Sequence, residues 1–174
     1  MKTLETERLI LRPFKKSDLD DFYEYCRMDT VGPNAGWSAH TCKDHSLKII
    51  ENFIEKDDVL ALYHKTDKKV IGSIGLHKKE TIEGSLYYEL GYVLSTDYEG
   101  KGIMTEAVRR VLDHAFLELM IDEIYVCHFI ENHKSQRVIE KCGFDYLQSI
   151  EYESVDFGKK KSSLYHLTKN KYLK

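Results

Sequence analysis

The chain has 174 residues, inside the roughly 100–200 of one domain, a length that buries enough surface to fold without a disulfide or metal staple. Apolar residues make up 42% and charged residues 32%, which excludes intrinsic disorder. Lysine and arginine number 26 against 29 aspartates and glutamates, a formal charge of −3 that argues against a nucleic-acid partner. Cys26, Cys42, Cys127 and Cys142 form no C-x-x-C pair, so neither a zinc knuckle nor a thioredoxin-type site is expected, and no metal. The first residues, Met1 to Arg8, hold no apolar signal stretch. Nowhere does an apolar run approach the roughly 18 residues of a membrane span. A cytoplasmic protein with reduced thiols and no membrane contact is the expectation.

Glu7–Phe14 reads as a short strand closed by Pro13. Ser17-Asp18-Leu19-Asp20 is a cap signal, and Leu19, Phe22, Tyr23 and Cys26 at helical spacing predict a helix over Asp18–Arg27. Thr30–Thr41 holds Gly32, Pro33, Asn34 and Gly36 and reads as a loop carrying Trp37, the sole tryptophan. Leu47, Ile50, Phe53 and Ile54 predict a second helix. Val59–Lys65 and Lys69–Lys78 read as a hairpin around Thr66-Asp67-Lys68, and Thr81–Gly84 turns the chain into a strand over Ser85–Ser95. Met104, Ala107, Val108, Val111, Leu112, Ala115, Phe116 and Leu119 then form an unbroken stripe of helical period. A strand over Glu123–Phe129 and a helix over Lys134–Lys141 follow, the helix stopped at Cys142-Gly143. Phe144–Val155 and Ser162–Thr168 read as a hairpin around Asp156–Lys161, with Lys159-Lys160-Lys161 at its tip. Strands joined through helices predict a mixed α/β fold, one domain over residues 1–174, because parallel pairing requires such long crossovers.

Chemistry concentrates in Tyr92–Ala107, where a strand runs into Gly100 and Gly102 and a helix starts at once. Such a loop aims backbone N–H groups and the positive end of a helix at one spot, and glycine admits left-handed dihedrals and a close ligand approach. The arrangement suits a pyrophosphate, with Lys101 as added charge at the rim, unless the glycines merely make the turn. A P-loop is excluded because Ile103 follows Gly102, and a dinucleotide fingerprint because Thr105 stands where its third glycine belongs. Further on, Asn132 follows a strand end in Phe129–Phe144. It offers an amide ligand both donor and acceptor, or else serves as a turn or cap residue.

These segments resemble the GNAT superfamily of acyl-CoA N-acyltransferases, and within it the RimJ/RimL-type branch that modifies protein N-terminal amines. Three stretches carry the resemblance along most of the chain: Thr6–Pro13, Tyr98–Ala107 and Asn132–Phe144. It implies a single-domain fold with a mixed, centrally splayed β-sheet flanked by helices, and acetyl-CoA as co-substrate. Backbone amides across Gly100, Lys101, Gly102, Ile103, Met104 and Thr105 would hold the pyrophosphate. Val93 and Leu94 would pair with the pantetheine arm, with Asn132 and Ser135 beside it. The thioester would lie where the strands over Ser85–Ser95 and Glu123–Phe129 part. Two departures stand out. Asp97 occupies the family's Gln/Arg position, and Ile139 the place of a tyrosine that protonates the CoA thiolate in some members, so Ser135, another tyrosine or water must do so.

Acyl transfer needs a neutral amine. At pH 7 an α-amine is about 10–15% neutral and a lysine below about 0.1%, a gap of roughly 3.5 kcal/mol. An N-terminal acceptor therefore needs only a modest base. Glu89 is the candidate, sharing a strand face with Gly91 and Val93; the alternative is an outward-facing carboxylate. A backbone N–H near Val93 would polarise the carbonyl. Trp37 is either part of the acceptor pocket or a core anchor, and His40 reads as a surface or capping residue. Cys127 and His128 fall on opposite strand faces, against a Cys-His dyad. The leading expectation is an N-acetyltransferase of protein or peptide N-termini, as a monomer or homodimer. The alternatives are a small-amine acetyltransferase, acting on an antibiotic, polyamine or amino acid, and a non-catalytic acyl-CoA-binding module.

Overall fold

Strand alternation builds a single eight-stranded sheet in the computed structural model, which describes residues 1–81 and 84–174. The middle of the turn expected at Thr81–Gly84, residues 82 and 83, lies outside the described residues. The strands are β1 (Leu4–Glu5), β2 (Leu9–Pro13), β3 (Val59–His64), β4 (Lys69–Glu80), β5 (Leu86–Leu94), β6 (Glu123–Phe129), β7 (Asp145–Ser154) and β8 (Gly158–Thr168), in the order β1-β2-β3-β4-β5-β6-β8-β7. Neighbours run antiparallel except β5 and β6, which are parallel. That parallel pair holds only at Tyr88↔Ile124 and Glu89↔Tyr125. Beyond Glu89 the strands part, while β4 stays paired with β5 to Leu94 and β8 with β6 to Phe129. The splay lies where it is expected.

The helices are α1 (Leu19–Cys26), α2 (Gly32–Ala35), α3 (Lys43–Lys56), α4 (Ile103–Asp113), α5 (His133–Lys141) and α6 (Lys169–Tyr172). Alternation along β3 divides the core: Leu60 and Leu62 join the cluster of α4, Val59 and Ala61 that of α1 and α3. On the first side the α4 stripe is buried from Met104 to Phe116. Leu119 falls off it, 50% exposed, because a π-helical turn at His114–Glu118 shifts the phase. On the second side Phe14, Phe22, Tyr25 and Phe53 meet in mostly edge-to-face contacts. Among the described residues no helix is long and apolar enough to cross a membrane.

Three local expectations are corrected. Lys159, Lys160 and Lys161 are not a tip but part of β8, opposite Glu153, Tyr152 and Glu151, and cross-strand opposite charges favour that strand. Residues 155–157 make the turn instead. The Thr30–Thr41 loop contains α2, whose first turn accepts Pro33 because no helical N–H is needed there. Ser17 is not the cap of α1. Asp18 takes the polar role, accepting from Lys15 N at 2.8 Å and from both Arg12 Nη atoms at 2.8 and 2.7 Å.

Candidate active site

β5 leads through a 3-10 turn, Thr96–Tyr98, into Gly100 and Gly102 and then α4. Both glycines have φ of +73°, in the left-handed region. A cavity of about 630 Å³ lies against them, lined also by Val93, Leu94, Ile103, Met104 and Thr105, and across from these by Asn132 and Ser135. Of the residues assigned to the cradle only Lys101 is absent from its lining. Its ammonium donates to Asp97 O at 2.8 Å and lies over the ring of Tyr98, which lines the cavity. Arg137 and Lys141 of α5 bring positive charge to the lining, and Lys134 is ion-paired there with Glu99. In sequence they look like ordinary exposed helix charges. A Cβ built on Gly100 meets nothing within 4 Å, and one on Gly102 lies 3.8 Å from Arg8 Nη2. Glycine is required here by the dihedral rather than by space.

A second cavity, about 480 Å³, lies among α1, α3 and the other face of the sheet, lined by Trp37, His40, His77, Lys79, Glu89 and Tyr152 among others. The two cavities share Asn34, Ala35, Tyr92, Val93, Asn132 and Ser135. They meet where β5 leaves β6.

Glu89 is mostly buried at this junction, its side chain 14% exposed. Oε2 accepts from Lys79 Nζ at 2.5 Å and Oε1 from the Tyr152 hydroxyl at 3.1 Å. The carboxylate thus faces the cavity, held from two strands. Burial is the largest single influence on the Lys79 ammonium and lowers its pKa, but the hydrogen bond to Glu89, the Glu89 charge and the nearby Tyr152 and Tyr87 together outweigh it and raise it. Burial and then the Glu89 charge push both Tyr152 and Cys127 up to about 12. Cys127 is therefore a protonated, unreactive thiol at neutral pH. His128 hydrogen-bonds Phe129 O at 2.8 Å and lies on the Tyr165 ring at 5.6 Å. Lys79 and Tyr152 are part of the site that sequence reading missed. Strand alternation places Lys79 beside Glu89, but only the sheet order brings β7 near.

His40 is corrected from a surface or capping residue to a buried wall of this cavity. Its Nδ1 is 2.7 Å from Ser46 Oγ, and its ring stands 5.0 Å from Trp37 and 4.5 Å from His45. Burial and the neighbouring His45 push it down to about 4, so it is neutral at pH 7. Trp37 is both core anchor and wall. It lines the cavity and packs so tightly on Gly32 that a Cβ there would come within 2.5 Å of the indole.

Asn132 caps α5: its Oδ1 accepts from Ser135 N at 3.1 Å and its Nδ2 donates to Asn34 O at 3.3 Å. Both atoms stand at the cavity junction. Ser135 Oγ is 2.9 Å from the Tyr92 hydroxyl, whose pKa burial raises. Ile139 lies in the core at 1% exposure, so that position faces no reacting group. Tyr92 is the tyrosine at the junction, reached from β5 rather than α5.

Parted strands, a glycine loop at a helix start and a second cavity meeting the first make up the candidate site. Residues 8–145 match the family described as "Acetyltransferase (GNAT) domain", and the chain belongs to that family. It is 40% identical over 94 residues to "Probable N-acetyltransferase YjcK" of Bacillus subtilis, covering 52% of this chain and 51% of that one. It is 36% identical over 78 residues to "Putative ribosomal N-acetyltransferase YdaF" of the same organism, covering 45% and 42%. The chain thus spans about half the length of these curated relatives. Among solved structures, Mycobacterium smegmatis RimJ in complex with CoA-disulfide matches at a TM-score of 0.77 and 21% identity, over 96% of this chain and 87% of that one.

Proposed function

We propose that the protein transfers the acetyl group of acetyl-CoA to a primary amine, the N-terminal α-amine of a protein or peptide. One observation carries this reading: the glycine-loop cavity and the Glu89 cavity meet at the parted strands and share Tyr92, Val93, Asn132 and Ser135. Amides of Gly100–Thr105 and the start of α4 hold the pyrophosphate. Val93 and Leu94 lie beside the pantetheine arm with Asn132, and a β5 backbone N–H near Val93 polarises the thioester carbonyl. Glu89 takes the proton the amine gives up as the C–N bond forms, directly or through one water. As the C–S bond breaks, the Ser135 hydroxyl gives its proton to sulfur and Tyr92 resupplies it; exchange with solvent then resets Glu89 and Tyr92. The name carried by YdaF supports a ribosomal-protein acceptor.

A second reading has its own observation. Ser38 N donates to Asp156 Oδ2 at 2.6 Å and Asp156 N to Gly36 O at 3.1 Å, bridging two loops beside the acceptor cavity. That bridge favours a small amine. Release of free CoA, measured with N-terminal peptides, aminoglycosides, polyamines and amino acids, tests both. Turnover of peptides supports the first reading, and turnover of small amines alone the second. CoA binding without turnover of any amine overturns both in favour of a binding module.

A further inference from the structure

We propose that Arg8 is a positioning residue for the donor cradle: it orients the Lys101–Gly102 peptide and cancels the charge of Glu106 in the first turn of α4, the helix whose start faces the donor cavity. The proposal rests on the donor-site reading above. Arg8 stands just ahead of β2, 98 residues from Glu106 in the first turn of α4. Its backbone N donates to Glu106 Oε1 at 2.9 Å and its Nε to Oε2 at 2.6 Å. Its Nη1 donates to Lys101 O at 2.8 Å.

Two consequences follow from elementary geometry and charge. In a trans peptide the C=O and the N–H point in opposite directions. With Lys101 O drawn to the guanidinium, the Gly102 N–H is directed away from Arg8. Gly102 lies between two spaces: the Arg8 side, where its Cβ position would be 3.8 Å from Nη2, and the donor cavity that it lines. Arg8 therefore turns this amide toward the donor. A carboxylate in the first helical turn suits the helix dipole but repels a diphosphate. Glu106 keeps its charge: burial opposes this, but hydrogen bonds from Thr6 and Arg8 hold its pKa below the ordinary range. The guanidinium neutralises that charge and reaches the carbonyl at once, which the single ammonium of lysine does not. Thr6 and Arg8, within the Thr6–Pro13 stretch, thereby gain a common purpose on Glu106.

The test compares ligands with and without the diphosphate: CoA by calorimetry and pantetheine by ligand-observed NMR titration. Arg8→Gln is expected to weaken CoA about tenfold or more, the order of a lost charged hydrogen bond, and pantetheine by less than about threefold. Arg8→Lys is expected to stay at least about fivefold weaker for CoA, since it keeps the charge without the fork. Equal losses for both ligands would show general distortion and overturn the proposal, as would unchanged CoA affinity or full recovery with lysine. Where Arg8→Gln fails to fold, Arg8→Lys decides by the same comparison. Gly102→Val separates the two readings. If it leaves CoA affinity intact, the donor site itself is wrong; if it weakens CoA while Arg8→Gln does not, only the role of Arg8 falls.

Discussion

Glu89 shows how a side chain is held in place by its surroundings. Lys79 and Tyr152 each take one carboxylate oxygen, which fixes the group at the cavity junction. If it accepts the amine proton, Glu89→Gln lowers kcat/KM by about 10²–10⁴ near neutral pH. The loss shrinks above pH ~8, where an α-amine is mostly neutral unaided. A pH–rate profile of both proteins on an N-terminal peptide checks this, and a variant within about threefold of the parent at pH 7 removes Glu89 from the chemistry. His40 carries a stability prediction. Its folded pKa of about 4 lies below the unfolded value near 6.5, so the unfolded chain binds the proton more readily. Its neutral form supports the fold above pH ~6.5, and up to about 3 kcal/mol of that is lost as pH falls toward 4. His40→Gln should flatten this stretch of a denaturation-against-pH curve. An unchanged slope would mean His40 titrates normally.

At the scale of elements, the loop before α4 depends on backbone conformation. Gly102→Val forces a β-branched residue to φ +73° and should weaken CoA binding more than about tenfold while the fold persists. Asn132→Ala removes the α5 cap, about 1 kcal/mol, and should impair acetyl-CoA use without moving the pH optimum, because an amide does not titrate. A displaced optimum with binding intact would assign Asn132 a different role. Helix stripes and strand alternation were readable because they depend on neighbours in sequence, as with Met104 to Phe116 and β6. The π-helical turn that frees Leu119 has no periodic signal. The strand at Lys159–Lys161 was hidden because charge reads as solvent exposure unless the opposite strand, with Glu151 and Glu153, is known.

Across the whole molecule, the family, the splayed sheet and the glycine loop were legible from three short stretches. The partners of the site were not. Tyr152 lies 63 residues from Glu89, Ser135 43 residues from Tyr92, and Glu106 98 residues from Arg8. Each meeting is set by sheet order, and sheet order is a property of the assembled chain. The acceptor stays open for the same reason, since its walls come from α1, α3, β4 and the β7–β8 turn together.

The parallel pairing of β5 with β6 has a mechanical side. Two residue pairs join β1–β5 to the β6–β8–β7 block by strand hydrogen bonds, and past them the sheet opens as a wedge. A ligand that hydrogen-bonds to the open edge of β5 while resting against α5 acts as a keystone. At 100 times its Kd, acetyl-CoA should add about 2.7 kcal/mol to unfolding. Amide exchange should slow most along the β6-facing edge of β5 beyond Glu89. Uniform slowing over both blocks would show that the wedge is not the weak seam. If it is, the working lifetime of the folded protein is itself metered by the supply of its donor.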